Sequence, residues 1–448
     1  MQNLYFRGKI LFWKKHKRKF AMITAIIIAS LTCLAFICNI LIKPSVIIKG
    51  KSYGIYWIFP LLGAGLLLLT KVITPKQLVD GLTADTDINP IKILVLFLSL
   101  TLMSVLLDSA GFFRILASKA LSVAKHSQWA LFICLYLTVS VLTVFTSNDI
   151  IVLTFTPFIC YFAHNAKIDP IPYLVGEFIA ANTWSMALVI GNPTNIYLAG
   201  TAGINFGEYL TVMALPTLLT GVTAFGALCL IFRKKLSAPM VAEQNEKPES
   251  DIPLMVIGVA HLGVCILLMA VSSWLSIPMW IVSAVCFISQ YLCSFVYCLF
   301  SKKLMYVFES LKRAPVITVP FVLSMFTIVL ALVNTGATET VRAYLLVGES
   351  VLKCGVSSFF ASNLINNIPM SVLFSALVGE DKAAVYASVV GSNIGAFLTP
   401  VGALAGIMWT GLLKNHGIKL SFAKFSCYGI LVSIPALIAA IVGIYIVL

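Results

Sequence analysis

The sequence WALFICLYLTVSVLTVFTSNDIIVLTFTPFICYF, which runs from Trp129 to Phe162, is the most informative stretch of this chain for its fold. An apolar arm, Trp129–Thr146, is followed by a polar interruption, Ser147-Asn148-Asp149, and by a second apolar arm, Ile150–Phe162. The second arm is shorter than the roughly 20 residues that a membrane-crossing helix needs. Non-helical backbone at membrane depth is tolerated only where protein buries it or where it lines a cavity. The pattern is therefore typical of a re-entrant hairpin or a broken helix within a membrane protein.

The composition of the whole chain agrees with a membrane location. Of its 448 residues, 60% are hydrophobic and 11% are charged, whereas a soluble chain carries about a quarter charged residues. This balance excludes a soluble multidomain enzyme, a disordered regulator and a nucleic-acid-binding domain. The net charge of +14 is explained by Lys and Arg in the loops, where anionic lipid headgroups attract them. The lipid bilayer is thus an expected partner, and nucleic acid is not.

The eleven cysteines indicate neither disulfides nor a metal centre. Most of them lie within apolar runs, where a small polarizable side chain packs well. The sequence contains no Cys-x-x-Cys pair and no spacing of Cys and His that is typical of a zinc site. We therefore expect free thiols, no bound metal and no cofactor.

Outward from the quoted stretch, the apolar runs divide into two halves joined by a polar linker. Each half has five spans and one interrupted segment, an odd number of crossings, so the second half is predicted to lie upside down relative to the first. The predicted fold is an all-α polytopic membrane protein with two inverted repeats, each of about five transmembrane helices plus a re-entrant hairpin. The predicted regions are a basic N-terminal tail at 1–19, a first repeat at 20–232, a polar linker at 233–252 and a second repeat at 253–448. The predicted spans are 20–42, 54–70, 91–107, 171–190 and 208–232, then 253–271, 276–299, 314–333, 382–411 and 424–447, with interruptions at 147–149 and 362–367.

Short sequence echoes between the halves support the repeat. They occur in the same order in both halves, which chance explains poorly. Lys and Arg are concentrated on the side of the central linker, which the positive-inside rule assigns to the cytoplasm. The basic tail falls on the other side, so the sequence leaves the side of the N-terminus open. The echoing pairs are Asp108-Ser109-Ala110-Gly111 with Asn334-Thr335-Gly336, Asn148-Asp149 with Asn366-Asn367, and Ala187–Asn192 with Ala387–Ser392.

Four polar clusters lie inside these apolar runs, at 146–149, 191–195, 362–367 and 391–399. Amide, hydroxyl and carboxylate oxygens at a helix break can replace the hydration shell of an ion or hold a polar solute, together with the freed helix ends. For the first two clusters, solvated loops between ordinary helices are the alternative. The candidate binding residues are Thr146, Ser147, Asn148, Asp149, Asn182, Gly191, Asn192, Thr194, Asn195, Ser362, Asn363, Asn366, Asn367, Gly391, Ser392, Asn393 and Thr399.

Two acids are candidate proton carriers because ionisable residues at membrane depth are functional by default. Asp149 lies in the first break, and Glu177 lies within a predicted span, where a position near the membrane face is the alternative. Asp108 and Arg114 are expected to pair at a helix end, and His261 is expected to be a satisfied core histidine. The sequence has no phosphate-binding loop, no nucleophile elbow and no His-Glu-x-x-His motif. No enzymatic activity is therefore predicted, and ATP-driven transport would need a separate soluble ATPase partner.

With these residues in view, the chain resembles the ion transporter superfamily, and most closely its arsenite efflux pumps and sodium/proton antiporters. The resemblance implies two inverted halves whose hairpin tips meet at a central site. It further implies an elevator-like movement, a homodimer and the plasma (inner) membrane of a prokaryote. The segments that carry it are Leu107–Phe113, Ser147–Asp149 with Thr156-Pro157, Phe178–Thr183, Ser362–Pro369 and Gly391–Gly402.

The predicted function is secondary active transport of a small inorganic solute or ion, with proton-coupled efflux of arsenite or antimonite as the leading hypothesis. No cysteine lies at either predicted tip, so trivalent arsenic would be recognised as its neutral hydroxide. Asn182 stands where arsenite pumps typically carry an acid, and Gly191–Asn195 looks more like the carboxylate and anion carriers of the superfamily. The alternatives are therefore a sodium- or proton-coupled carboxylate or anion carrier, or a sodium/proton antiporter. A membrane enzyme or scaffold would need catalytic residues grouped on one membrane face.

Overall fold

The computed structural model describes residues 2–42, 45–48, 51–84, 89–124, 127–240, 250–272 and 274–448. Within these ranges the chain is almost entirely helical, with one short antiparallel hairpin, β1 (Ser45–Ile48) and β2 (Lys51–Gly54), and one 3-10 turn, Val189–Gly191. The all-α class is confirmed. The helices are α1 (Gln2–Ile42), α2 (Ile58–Leu69), α3 (Pro75–Thr83), α4 (Pro90–Ser109), α5 (Phe112–Ala124), α6 (Gln128–Phe145), α7 (Asn148–Asn165), α8 (Ile171–Trp184), α9 (Pro193–Thr201), α10 (Phe206–Leu236), α11 (Ile252–Val271), α12 (Met279–Phe300), α13 (Met305–Lys312), α14 (Thr318–Thr335), α15 (Glu339–Leu346), α16 (Ser350–Ile365), α17 (Asn367–Val378), α18 (Lys382–Gly395), α19 (Leu404–Asn415) and α20 (Phe422–Val447).

Eight helices in the described part of the chain are long and apolar enough to cross a membrane. They carry exposed leucine, isoleucine and valine along their outer faces, as Leu230 and Leu267 show. A bilayer solvates such faces, and helices satisfy their own backbone hydrogen bonds there. The predicted polytopic membrane fold is confirmed. The eight helices are α1 (over Arg18–Ile40), α4, α6, α10, α11, α12, α14 and α20.

Two predicted spans are wrong as single helices. The span at 171–190 ends as α8 at Trp184, and α9 begins only at Pro193. Asn192 caps α9 and proline occupies its first turn, a combination that starts a helix rather than continuing one. The span at 382–411 likewise consists of α18 and α19, separated by the non-helical residues 396–403. Each half of the chain thus contains two interrupted segments, α6–α7 and α8–α9 in the first, α16–α17 and α18–α19 in the second.

Helices of the two halves pack crosswise. α4 contacts α11, α12 and α13 of the second half, and α14 contacts α1, α2 and α3 of the first. In the same way α7 packs on α19, α17 packs on α9, and α10 packs on α20. The predicted tail, 2–19, is continuous with α1. Of the predicted linker, residues 241–249 lie outside the described ranges, and its ends belong to α10 and α11 or flank them.

Contacts at helix ends distinguish the two membrane faces. α10 ends and α11 begins at one of them, which we call the linker face. There the Asp251 N–H donates to the carbonyl of Ala110 at 3.0 Å, and Arg313, which precedes α14, lies at the same face. Arg18 of α1 instead lies against Gly336, at the far end of α14. The basic start of α1 is therefore on the face opposite the linker, where the order of the predicted spans places it.

An ion pair between the buried Asp251 and the half-exposed Lys303 lies at the linker face, at the start of α11. The Asp251 carboxylate accepts hydrogen bonds from Lys303 Nζ at 2.7 Å, from the Tyr297 hydroxyl at 2.9 Å and from the Leu254 N–H at 3.1 Å. Burial by itself opposes ionisation of this carboxyl, but the three donors outweigh it and hold the pKa of Asp251 below its ordinary value.

Candidate functional site

Asparagines from both halves of the chain form one hydrogen-bonded group. The Asn393 Oδ1 atom accepts from the Ser185 hydroxyl and from Asn192 Nδ2, both at 3.0 Å. Asn393 Nδ2 donates to Asn195 Oδ1 at 2.7 Å. Asn195 Nδ2 in turn donates to the Ser185 carbonyl at 2.9 Å. These four side chains, all fully or almost fully buried, join the interruption after α8 to α18.

Asn182 connects this group to the first interruption. Its Oδ1 atom accepts from Asn148 Nδ2, in the first turn of α7, at 3.0 Å. The Ser185 hydroxyl lies 2.9 Å from the Asn182 carbonyl. Because Asn148 and Asn182 are 34 residues apart and Asn393 lies in the other half, only the packed structure brings the three together.

The remaining clusters form the other side of the site. Asn363 Nδ2 donates to the Gly395 carbonyl at 2.9 Å, and Asn363 Oδ1 accepts from the Thr399 hydroxyl at 2.7 Å. Asn366 Nδ2 donates to the Val401 carbonyl at 3.0 Å. The backbone between α16 and α17 is thereby tied to the non-helical residues 396–403.

Asn366 has a strained backbone. Its φ of 71° and ψ of 154° lie in a region that is essentially restricted to glycine and costs on the order of 1–3 kcal/mol. The conformation ends α16 and lets α17 restart at the next residue, whose N–H donates to the Gly402 carbonyl at 3.0 Å. Strain of this kind persists where surrounding contacts hold it, and it is common at ligand sites.

Several helix ends meet at this site. α7, α9 and α17 begin there and α8 and α18 end there, as the contacts of Asn148, Asn192, Asn367, Ser185 and Gly395 show. Helix N-termini carry unpaired N–H groups and a partial positive charge. The site therefore has polarity from its backbone, although the segments 146–149, 182–195, 362–367 and 391–402 contain neither lysine nor arginine.

Four side-chain oxygens, on predicted binding residues or on their immediate neighbours in the sequence, are buried without a hydrogen-bond partner in the described part of the chain. They are Ser147 Oγ, Thr183 Oγ1, Asn367 Oδ1 and Ser392 Oγ. Ser147 precedes α7 and Asn367 opens α17, while Thr183 and Ser392 adjoin Asn182 and Asn393. Leaving such a group unpaired costs about 1–3 kcal/mol, so these atoms are available to a bound polar solute.

Other predicted site residues serve packing or their own helix. A side chain at Gly391 would collide with the Ser358 hydroxyl and the Gly355 carbonyl of α16, and one at Gly191 with the Ser185 carbonyl. Close backbone approach through small residues is how membrane helices associate. Further, the Thr146 hydroxyl bonds Leu142 O, the Ser362 hydroxyl bonds Phe359 O, and Thr194 Oγ1 lies 3.4 Å from Asn195 Oδ1.

The two candidate acids have different surroundings. Glu177 is 2% exposed, and both of its oxygens lie 3.0 Å from the Thr156 hydroxyl of α7. No lysine, arginine or histidine of the described ranges pairs with it. The side chain is thus enclosed by protein, and its depth relative to the membrane face stays a prediction. Asp149 is partly exposed, in the first turn of α7, and its carboxylate has no hydrogen-bond donor among the described residues.

The sequence did not predict two contacts of the site. One involves Ser185, which lies three residues after Asn182, so helical spacing alone could have identified it. The other is the contact of Thr156 with Glu177.

Two further predictions need correction. Asp108 pairs with Arg313 at 2.6 Å, not with Arg114, because crosswise packing brings α13 to the end of α4. His261 bonds Ile257 O and Ser289, but it is only partly buried and so is not a core residue.

No group of three or more His, Cys, Asp or Glu side chains that could hold a metal occurs within the described ranges. Cysteines there are free, and the segments 146–149, 182–195, 362–367 and 391–402 contain none. The chemistry of the site is thus that of neutral amides and hydroxyls, with the carboxyl groups of Asp149 and Glu177 as its candidate acids.

A family model described as "Citrate transporter" matches residues 55–385 of this sequence. The chain belongs to the citrate transporter family. Membership confirms the predicted resemblance to the ion transporter superfamily. It also establishes the protein as a membrane transporter, integral to the plasma membrane.

Curated relatives include arsenical pumps. The chain is 27% identical over 427 residues to the arsenical pump membrane protein of Escherichia coli strain K12, covering 89% of this chain and 95% of that protein. It is 25% identical over 372 residues to a putative arsenical pump membrane protein of Bacillus subtilis, covering 74% and 82% of the two chains.

Two solved structures share the fold of this citrate transporter family member. The YdaH transporter of Alcanivorax borkumensis superposes with a TM-score of 0.56 at 14% identity, over 94% of this chain and 98% of that one. MtrF of Neisseria gonorrhoeae superposes with a TM-score of 0.52 at 15% identity, over 95% and 94%. At these identities the likeness concerns the fold.

Proposed function

We propose that this transporter exports arsenite or antimonite, as the neutral hydroxide, in exchange for protons. The observation that carries the proposal is a set of buried, uncharged oxygens without a hydrogen-bond partner in the described part of the chain, at Ser147, Thr183, Asn367 and Ser392, each of which is a predicted binding residue or is next in sequence to one. A neutral trihydroxide presents three O–H donors and three oxygen acceptors. Such a solute would satisfy these oxygens without bringing a charge that the site must neutralise.

The charge balance of the site favours this cargo over a polyanion. The four site segments carry no lysine or arginine, and a citrate ion would bring several negative charges into a buried space. Arginine is the side chain best suited to bind carboxylates bidentately. Thiolate ligation of arsenic receives no support either, because cysteine is absent from the four segments. The relatives named arsenical pumps agree with the proposal.

Proton coupling is assigned to Glu177 rather than Asp149. Burying an ionised carboxylate without a cation costs free energy, so Glu177 needs a bound proton or another partner when it is buried. Asp149 is partly exposed in the first turn of α7, where the helix N-terminus favours a negative charge. It therefore suits a fixed charge better than a carried proton.

The architecture we propose is two inverted repeats, 20–232 and 253–448, that move a shared site past a scaffold in an elevator-like way. The repeat is supported by the crosswise packing of the two halves. α4 packs on α11, α12 and α13, and α14 packs on α1, α2 and α3. Likewise α7 packs on α19, and α17 packs on α9. α16 and α17, which meet at 366 and are both among the shorter apolar helices, support a re-entrant hairpin there; the hairpin at 147 stays a prediction, because α6 is itself long enough to cross a membrane. A homodimer and a soluble ATPase partner stay predictions, and proton exchange requires no ATPase.

A carboxylate or anion carrier is the second candidate. The N-termini of α7, α9 and α17 at the site would attract an anion, and the description of the family names citrate. A sodium/proton antiporter is less well supported, because Asp149 is the one acid within the four segments.

Transport in proteoliposomes without ATP tests the proposal. Arsenite, antimonite, citrate and sodium are offered separately, with and without a pH gradient. Arsenite or antimonite movement driven by the gradient is the expected result; movement of citrate alone would favour the second candidate. Glu177→Gln is expected to abolish the dependence on the gradient, and Asp149→Asn to preserve it. Glu208→Gln, an acid paired with Lys382 away from the site, is the matched control.

A further inference from the structure

We infer that Trp409 is the N–H donor that stabilises Glu177 when it has released its proton, and that a cavity at the linker face gives this acid its route to water. The inference rests on the proposed role of Glu177 as proton carrier. It adds a positioning residue and a side of the membrane to that role.

Trp409 of α19 is fully buried, and its indole Nε1 has no hydrogen-bond partner in the described part of the chain. The indole lies beside the Glu177 carboxyl of α8 without reaching hydrogen-bond geometry. Phe178, the neighbour of Glu177, stacks obliquely on Trp409 with ring centroids 4.9 Å apart. Phe425 of α20 lies 5.2 Å from the same indole. The aromatic rings fix the indole next to the acid.

A buried indole N–H without an acceptor is unusual, because tryptophan normally finds a partner for it. Thr156 supplies one hydroxyl donor to Glu177. One hydroxyl does not satisfy a carboxylate, which accepts several hydrogen bonds. The protonated carboxyl group requires fewer hydrogen-bond donors. The Trp409 N–H, which has no acceptor, can therefore supply the donor that the ionised carboxylate of Glu177 lacks.

A cavity of about 220 Å³ adjoins Trp409. Its lining includes Pro400 and Val401, of the non-helical segment at the site, and Leu420 and Phe422, at the start of α20. The start of α20 lies at the linker face, since Tyr428 stacks on Phe232 at the end of α10 with ring centroids 5.0 Å apart. The cavity thus extends from the neighbourhood of the acid toward that face.

Few other titratable groups lie near Glu177. Cys160 of α7 is the thiol that interacts with it. Tyr173, on α8 itself, is engaged by Gln128, and Tyr136 of α6 by the Gly221 carbonyl of α10. Lys414 of α19 and Lys424 of α20 are exposed and make no ion pair with it in the described ranges. On α18 the residue facing the asparagines, Asn393, is uncharged.

The proposed step is a proton transfer. The Glu177 O–H bond breaks, and the proton passes to a water molecule that enters through the cavity. The electron pair stays on the carboxylate, which then accepts hydrogen bonds from the Thr156 hydroxyl and the Trp409 N–H. Reloading reverses the step.

Trp409→Phe tests this role, because phenylalanine keeps an aromatic ring in the stack and removes the N–H. The measurement is the pH profile of arsenite efflux in proteoliposomes. We expect the pH of half-maximal activity to rise by half a unit or more, since loss of the donor makes deprotonation of Glu177 about threefold or more harder. Trp280→Phe is the matched control, because its Nε1 is also buried without a partner but lies on α12, at the opposite face.

A second variant tests the route without touching the indole. Leu420→Trp fills the cavity from the loop before α20 and is expected to slow gradient-driven efflux several-fold while arsenite binding is retained. An unchanged pH profile in Trp409→Phe, or unchanged efflux in Leu420→Trp, overturns the inference if Glu177→Gln has abolished coupling. If Glu177→Gln keeps coupling, the proton carrier of the proposed function is itself wrong.

Discussion

Replacing Asn393 by alanine is the sharpest test of the asparagine group. This side chain makes four hydrogen bonds, to Ser185, Asn192, Asn195 and the Val389 carbonyl, at distances of 2.7–3.0 Å. It is fully buried, and it alone joins α18 to the interruption between α8 and α9 through side-chain bonds of the described residues.

The size of the effect follows from the groups that lose a partner. The Ser185 hydroxyl can turn to the Asn182 carbonyl, 2.9 Å away, so it stays satisfied. The Asn192 amide loses its Asn393 partner, and Asn195 Oδ1 keeps only the longer contact with Thr194 Oγ1 at 3.4 Å. Each buried polar group left unpaired costs about 1–3 kcal/mol. We therefore expect Asn393→Ala to lower the free energy of unfolding by about 2–6 kcal/mol, with the lower end reached if water enters the gap.

Thermal unfolding of the purified protein in detergent measures this loss, and arsenite transport is measured in parallel. Ser388→Ala is the matched control: Ser388 lies on the same helix, is fully buried, and its hydroxyl donates to the Ala384 carbonyl one turn earlier. Its loss is expected to cost under about 1 kcal/mol. If Asn393→Ala unfolds within about 1 kcal/mol of the unchanged protein, the asparagine group does not hold the two halves together as described.

Three further substitutions test other parts of the structure. At Asn366, glycine is expected to leave the protein more stable than alanine by about 1 kcal/mol or more, because only glycine adopts this positive φ freely; equal melting temperatures would contradict the strain. Asp251→Asn removes the ion pair with Lys303 and is expected to cost about 1–2 kcal/mol at pH 7. Because the folded-state pKa of Asp251 is lowered, its contribution is present above the unfolded value near 4 and is lost as the pH falls through the lower folded-state value; the difference is measured by unfolding at pH 7 and at a pH well below the unfolded value. Gly391→Ala is expected to cost about 1–3 kcal/mol by overpacking, whereas Gly411→Ala, with open space around it, serves as the control and should cost nothing.

Local sequence signals predicted much of this fold. Long apolar runs predicted α4, α11, α12 and α20 within a few residues, since hydropathy over about 20 residues is a property of the chain itself. The polar interruption at 147–149 predicted the break between α6 and α7. The run at 382–411 was expected to be one span, because glycine and proline in an apolar run lower helix propensity without fixing whether the helix stops.

Long-range contacts were the part that the sequence could not supply. Asp108 pairs with Arg313, which is 205 residues away in the sequence, and not with Arg114, which is much closer in the sequence. Glu177 pairs with Thr156 because α7 and α8 pack side by side. In each case the partner depends on which helices pack together.

The amino-acid sequence is enough to predict a polytopic membrane protein with polar breaks, because the bilayer imposes length, apolarity and a satisfied backbone on every span. The packing of the helices is needed to show that Asn148, Asn182 and Asn393 are linked in one hydrogen-bonded group and that Glu177 is buried. Those contacts join residues that are tens to hundreds of positions apart, and the free energy of a hydrogen bond depends on burial, which exists only once the helices have packed.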